Sequence, residues 1–103
     1  MSRRIVSDQV IEFDPALVSR LSAEAKELMS QAPDENRQLI IRALRRAWNT
    51  ALSPIQRSYL QEYYVNCKTM KQIAELYSVN IGTVSRTLSR GRNRLRETLN
   101  YFL

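Results

Sequence analysis

The sequence predicts an all-α protein of about five helices, with a C-terminal tri- or tetrahelical helix-turn-helix domain preceded by two amphipathic helices. Three observations carry this. Only two glycines and three prolines interrupt 103 residues, so helix breakers are scarce. Apolar residues recur at three- and four-residue spacing along most of the chain, the period of a helix buried on one face. Helix start signals (a Ser, Thr, Asp or Asn cap, with Gln three residues on or Pro just inside) precede these periodic stretches.

Residues 1–13 form an N-terminal arm in which "IVSDQVIEF" fits either a short strand or a docked tail. The first helix starts at "FDPALVSRLSAEAKELMSQ": Asp14 caps, Pro15 suits the first helical position, and Phe13 staples against Val18. Leu17, Val18, Leu21, Ala25, Leu28 and Met29 share one face, and the helix should end near Gln31, ahead of Pro33. A second helix, roughly 35–51 with Asp34 as its cap, aligns Ile40, Ala43, Leu44, Ala47, Trp48 and Ala51. Arg42, Arg45 and Arg46 lie off that stripe, as on an ordinary solvated face. Trp48, at this spacing, reads as core rather than as a stacking platform. Residues 14–51 are thus a two-helix accessory or dimerisation segment.

The second half is more sharply punctuated. "SPIQ", residues 53–56, and "TMKQ", residues 69–72, are capping boxes, and Asn80 is a third cap with Val79 and Val84 as its staple. Helices over about 54–66, 70–77 and 81–100 follow, the last two joined only by Ser78, Val79 and Asn80. A short helix, a tight turn and a longer helix make a helix-turn-helix. Ala74 is small where the two helices approach, Ile73, Tyr77, Val79, Val84 and Leu88 line the inner surface, and Val79 plugs the angle. Tyr59, Tyr63, Tyr64 and Tyr77 read as mainly core, and Gly91 as a close-packing position rather than a hinge. Residues 52–103 form this domain.

At 100° per residue, Ile81, Val84, Leu88, Gly91, Leu95 and Leu99 gather on one side of the last helix. Gly82, Arg86, Ser89 and Asn93 centre on the other side, flanked by Ser85, Arg90 and Arg96. Residues 80–96 carry five arginines and no acid, so a helix packed by its leucines presents guanidinium groups outward. Such a helix fits a DNA major groove about 12 Å wide. Ser85, Arg86 and Ser89 are the candidates for base contacts. Arg86 suits guanine O6 and N7, with a phosphate contact nearly as well supported. Gly82 permits close approach of the helix start. Asn80, Thr83, Arg90, Arg92 and Arg94 are placed to contact phosphates, joined by Thr69 and Lys71 from the preceding helix. The helix N-termini at 70 and 81 add favourable dipoles.

Charge distribution agrees. Residues 1–52 hold eight Lys/Arg against seven Asp/Glu, whereas residues 53–103 hold eight against only Glu62, Glu75 and Glu97. The basic half is the helix-turn-helix half. There is no histidine and one cysteine, Cys67, so an internal disulfide and a Cys/His zinc site are both excluded. No catalytic constellation and no cofactor motif is present, and the expectation is a protein that is not an enzyme. Apolar runs are only a few residues long and the N-terminus lacks the hydrophobic run of a secretory signal, so no membrane association and a cytoplasmic location are expected.

The segment "LSPIQRSYLQEYYVNCKTMKQIAELYSVNIGTVSRTLSRGRNRLRETL", residues 52–99, resembles region 4 of the sigma-70 family of bacterial transcription factors, and is similar to the related LuxR-type DNA-binding domains. The matching pieces are "LSPIQRSYLQEYY" for the lead-in helix, "TMKQIAELYSVN" for the first helix-turn-helix helix with its turn, and "TVSRTLSRGRNRL" for the recognition helix. The resemblance implies a bacterial or phage protein whose region 4-like domain reads promoter DNA and can grip RNA polymerase. It carries DNA contacts onto Thr69, Asn80, Gly82, Thr83, Ser85, Arg86 and Ser89. Ser78 departs from the family by replacing the usual turn glycine, and Gly91 stands where alanine is frequent. The 52 preceding residues do not resemble the part of a complete sigma factor that binds the polymerase clamp and melts the promoter.

The expected function is therefore a stand-alone, sequence-specific regulator that binds double-stranded DNA. Two alternatives stand beside it. One is a sigma-like adaptor that mainly binds RNA polymerase. The other is an RNA- or ribonucleoprotein-associated factor, since Gln56 to Tyr64 is similar to the opening of small signal-recognition-particle-associated proteins. The first two helices either pair across a homodimer or brace the domain; both use the same amphipathic pattern.

Overall fold

Capping explains where the helices begin. A computed structural model describes Arg20, Lys26, Glu27 and residues 30–100. These residues contain four complete helices and no strand: α1 (Asp34–Thr50), α2 (Pro54–Leu60), α3 (Met70–Tyr77) and α4 (Ile81–Leu99). Ahead of them Arg20, Lys26, Glu27, Ser30 and Gln31 are helical, and helicity stops at Gln31, as the Pro33 break predicts. The arm 1–13, the Asp14 cap, the Phe13–Val18 staple and the apolar face of the first helix lie outside the described residues.

Ser53 accepts from the backbone N–H of Gln56 at 3.2 Å while Gln56 Oε1 accepts from the Ser53 N–H at 3.0 Å. Thr69 and Gln72 repeat the reciprocal pair at 3.1 and 2.9 Å, and Asn80 Oδ1 accepts from the Thr83 N–H at 2.8 Å. Each cap satisfies donors that a helix start leaves open. Asp34 departs from expectation: it is the first helical residue, Pro33 holds the cap position, and no side chain caps α1. Pro33, with its φ of −61° and ψ of 160°, sets the extended entry, and Asp34 instead pairs with Arg37 one turn on, at 3.1 Å.

After Leu60, α2 widens into a π-turn over Gln61–Val65, in which the Asn66 N–H donates to Gln61 O at 3.0 Å. The sequence reading expected one plain helix to 66. Residues 58–62 are all buried, polar Ser58, Gln61 and Glu62 included, because this helix is enclosed on every side. Glu62 is reached by Lys68 Nζ at 3.1 Å and Asn66 Nδ2 at 2.9 Å. That compensation makes a buried carboxylate tolerable, and it clasps the loop that leads to α3.

α3 ends in a Schellman arrangement that opens the turn to α4: the Val79 N–H donates to Ala74 O at 3.0 Å and the Ser78 N–H to Glu75 O at 3.4 Å. Ser78 adopts the left-handed conformation, φ 57° and ψ 47°, the position glycine ordinarily fills.

One hydrophobic core joins all four helices, with Ile40, Leu44, Trp48, Leu60, Ile73, Val84, Leu88, Leu95 and Leu99 among its buried members. Val79 and Tyr63 pack at its edge. Each fully buried Leu or Val contributes about 1.5–3 kcal/mol. α4 packs against α1, α2 and α3 alike. The second predicted helix is thus a brace on the helix-turn-helix within one chain. At its C-terminus, Arg57 Nη1 from α2 donates to the carbonyls of Leu52, Asn49 and Trp48 at 3.3–3.5 Å.

Candidate nucleic-acid interface

The buried stripe of α4 is Val84, Leu88, Gly91, Leu95 and Leu99. Ile81 departs from the sequence wheel: it is 48% exposed, since the first turn of α4 projects past the core edge before Val84 meets it. Gly91 sits where the helices touch; a Cβ there would stand 2.8 Å from Leu60 Cδ1 and 3.3 Å from Leu60 Cγ. That is a close-packing site. It draws α4 tightly onto α2 and so fixes how far the opposite face projects.

That opposite face is cationic. Arg86, Ser89, Arg90, Asn93 and Arg94 are exposed, and Gly82, Thr83 and Ser85 are half-buried beside them. Among the described residues, Arg86, Arg90 and Arg94 form no ion pair. Glu97 is the only acid in α4, so the field over this face is not cancelled locally.

Arg86 lies back over the first turn: a Cβ at Gly82 would be 3.2 Å from Arg86 Nη1 and 3.2 Å from Asn80 Oδ1. The glycine therefore makes room for the guanidinium as well as leaving the helix start bare. Asn80 is exposed and spends its oxygen on the cap, which leaves its amide NH2 as a donor. Thr69 caps α3 through its hydroxyl, and both it and Lys71 are exposed at that helix start. Thr83 O accepts from the Thr87 hydroxyl at 2.8 Å.

Arg92 is the candidate whose setting the sequence did not foretell. It is half-buried, with Nη1 donating to Tyr64 Oη at 3.1 Å and Nη2 to Ser89 Oγ at 3.4 Å. Tyr64 itself is buried, as are Tyr59 and Tyr77, in keeping with the core reading of the tyrosines. Nothing in the spacing of "QEYYV" signalled that its hydroxyl reaches α4, because the π-turn sets that direction. Arg57, the tie between α1 and α2, was missed for a similar reason: it sits in no motif.

Cys67 is exposed, in a loop with φ 58°. Among the described residues, no three of His, Cys, Asp and Glu come together to hold a metal ion, and no helix is long and apolar enough to cross a membrane. The family model described as sigma-70, region 4, matches residues 50–97, a span that contains α2, α3 and nearly all of α4. No other sigma region is found in the chain. No curated protein and no solved structure matches it.

Proposed function

We propose that this protein is a sequence-specific regulator of transcription that binds double-stranded DNA through α4, a reading supported by the match of residues 50–97 to the sigma-70 region 4 family model. The observation that carries the proposal is the two-sidedness of α4. One face is sealed into the core by Val84, Leu88, Leu95 and Leu99, and the other holds Arg86, Arg90 and Arg94 without an ion pair among the described residues.

In this reading the N-terminal half of α4 enters the major groove. Arg86 swings off Gly82 to donate two hydrogen bonds to guanine O6 and N7, while Ser85 and Ser89 reach neighbouring base edges. Arg90, Arg92, Arg94 and Lys71 bind phosphates, and Thr69, Asn80 and Thr83 position the two helix starts against the backbone. Four phosphate-bound cations imply that log K falls against log salt with a slope of about −3 to −4. The protein binds rather than catalyses, and works in the cytoplasm of a bacterial or phage-infected cell.

A second reading has one observation of its own. Leu76 and Ile81, 44% and 48% exposed, stand on either side of the turn, and an apolar edge there favours contact with RNA polymerase. Selection of bound duplexes from a randomised library at two salt concentrations, with structured RNA as competitor, tests the proposal. An enriched DNA motif that survives higher salt supports it. Binding that vanishes with salt and enriches nothing refutes it and turns attention to polymerase or RNA.

A further inference from the structure

We propose that Tyr64 is a positioning residue for DNA binding, holding Arg92 of α4 in the arrangement the phosphate backbone requires; the inference rests on the DNA-binding reading above. The π-turn over Gln61–Val65 places an extra residue in the helical turn. Tyr64 lies within this widened turn, and its hydroxyl meets Arg92 Nη1 at 3.1 Å. The same guanidinium donates through Nη2 to Ser89 Oγ at 3.4 Å, on the outward face of the helix.

Tyr64 is itself held. Its ring is 7% exposed, lies edge-on to Tyr63 with centroids 5.0 Å apart, and has the Arg20 guanidinium 5.9 Å from its centroid. An aromatic anchored on both sides is a firm acceptor for a long side chain that would otherwise sample many rotamers. A guanidinium has five N–H groups, and Tyr64 and Ser89 use two. The others remain for a phosphate oxygen, with the side chain already ordered before DNA arrives. Ordering such a side chain on binding costs enough to change affinity about three- to ten-fold. The line Arg20, Tyr64, Arg92, Ser89 also connects a residue ahead of the helix-turn-helix to the face that reads DNA.

The test is a double-mutant cycle on the full chain against a selected duplex, with the salt slope measured for each variant. Tyr64→Phe keeps the ring and removes the hydroxyl. It should weaken binding about three- to ten-fold with an unchanged slope, because the Arg92 charge remains. Arg92→Ala should weaken binding further and reduce the slope by about one. In the Arg92→Ala background, Tyr64→Phe should have no additional effect. Arg92→Lys, which keeps the charge but not the fork, should match Tyr64→Phe and leaves the inference testable should that variant fold poorly. Equal losses from Tyr64→Phe in both backgrounds would mean that Tyr64 acts through packing, and would overturn the inference. So would wild-type binding by Tyr64→Phe alongside a loss in Arg92→Ala. Failure of the unaltered protein to bind any duplex would instead overturn the DNA-binding reading itself.

Discussion

Replacing Gly91 by alanine separates a packing role from a hinge role. On an isolated helix the change gains about 1 kcal/mol, because glycine is the costlier residue in a helix interior. Here the new Cβ would fall 2.8 Å from Leu60 Cδ1 and 3.3 Å from Leu60 Cγ. Leu60 is fully buried, so it cannot turn aside without displacing its own neighbours. Overpacking of this kind costs about 1–3 kcal/mol. The net is a loss of about 1 kcal/mol, read as a fall in Tm of about 4–8 °C for a domain of this size. Truncating Leu60 to alanine costs about 2–5 kcal/mol alone, yet it removes the atoms that clash. Gly91→Ala should therefore destabilise the normal protein and stabilise the Leu60→Ala protein. Thermal melts of the three variants and the unaltered protein, followed by circular dichroism, decide this. The same increment in both backgrounds, or a raised Tm in the normal one, would refute close packing and restore the hinge.

Two further stability effects follow from backbone and cap geometry. Ser78→Gly should raise stability by about 0.5–1 kcal/mol in urea unfolding, because the left-handed cap at φ 57° strains a residue with a side chain; a lower midpoint would contradict the turn geometry. Arg57→Ala should cost about 1.5 kcal/mol, the low end for a charged donor, as its hydrogen bonds to the last turn of α1 are long. Trp48, the only tryptophan and 4% exposed in α1, reports the loss as a shift in its fluorescence transition; an unmoved transition would mean that Arg57 does not hold α1.

Local chemistry made most of this fold legible in the sequence. Ser53–Gln56, Thr69–Gln72 and Asn80 announce their helices through side chains that bond within three residues, and the starts of α2, α3 and α4 fall where those caps place them. The apolar period placed most of the core of α1 and α4, although Ala51 is exposed, Ala43 is half-buried and the buried Ile41 lay off the predicted stripe. The π-turn was not legible, since a plain helix and a widened one share the same sequence pattern. The enclosure of α2, which buries Glu62 among helices and against Lys68, comes from tertiary packing that no local pattern encodes. Ile81 misled because the wheel counts angle but not position along the axis, and the first turn of α4 overhangs the core. At the candidate interface the outward arginines could be read from the wheel, whereas the tether of Arg92 depends on a hydroxyl 28 residues earlier.

In the proposed interface α4 reads bases through Arg86 and holds phosphates through its other arginines. Binding of Arg86→Ala to a selected duplex and to a random one, at matched salt, tests it most directly. The expected result is a loss of about 1–3 kcal/mol on the selected duplex, a smaller loss on the random one, and relaxed selectivity at one base pair. Equal losses on both duplexes, with selectivity unchanged at every position, would contradict it and make Arg86 one more phosphate contact.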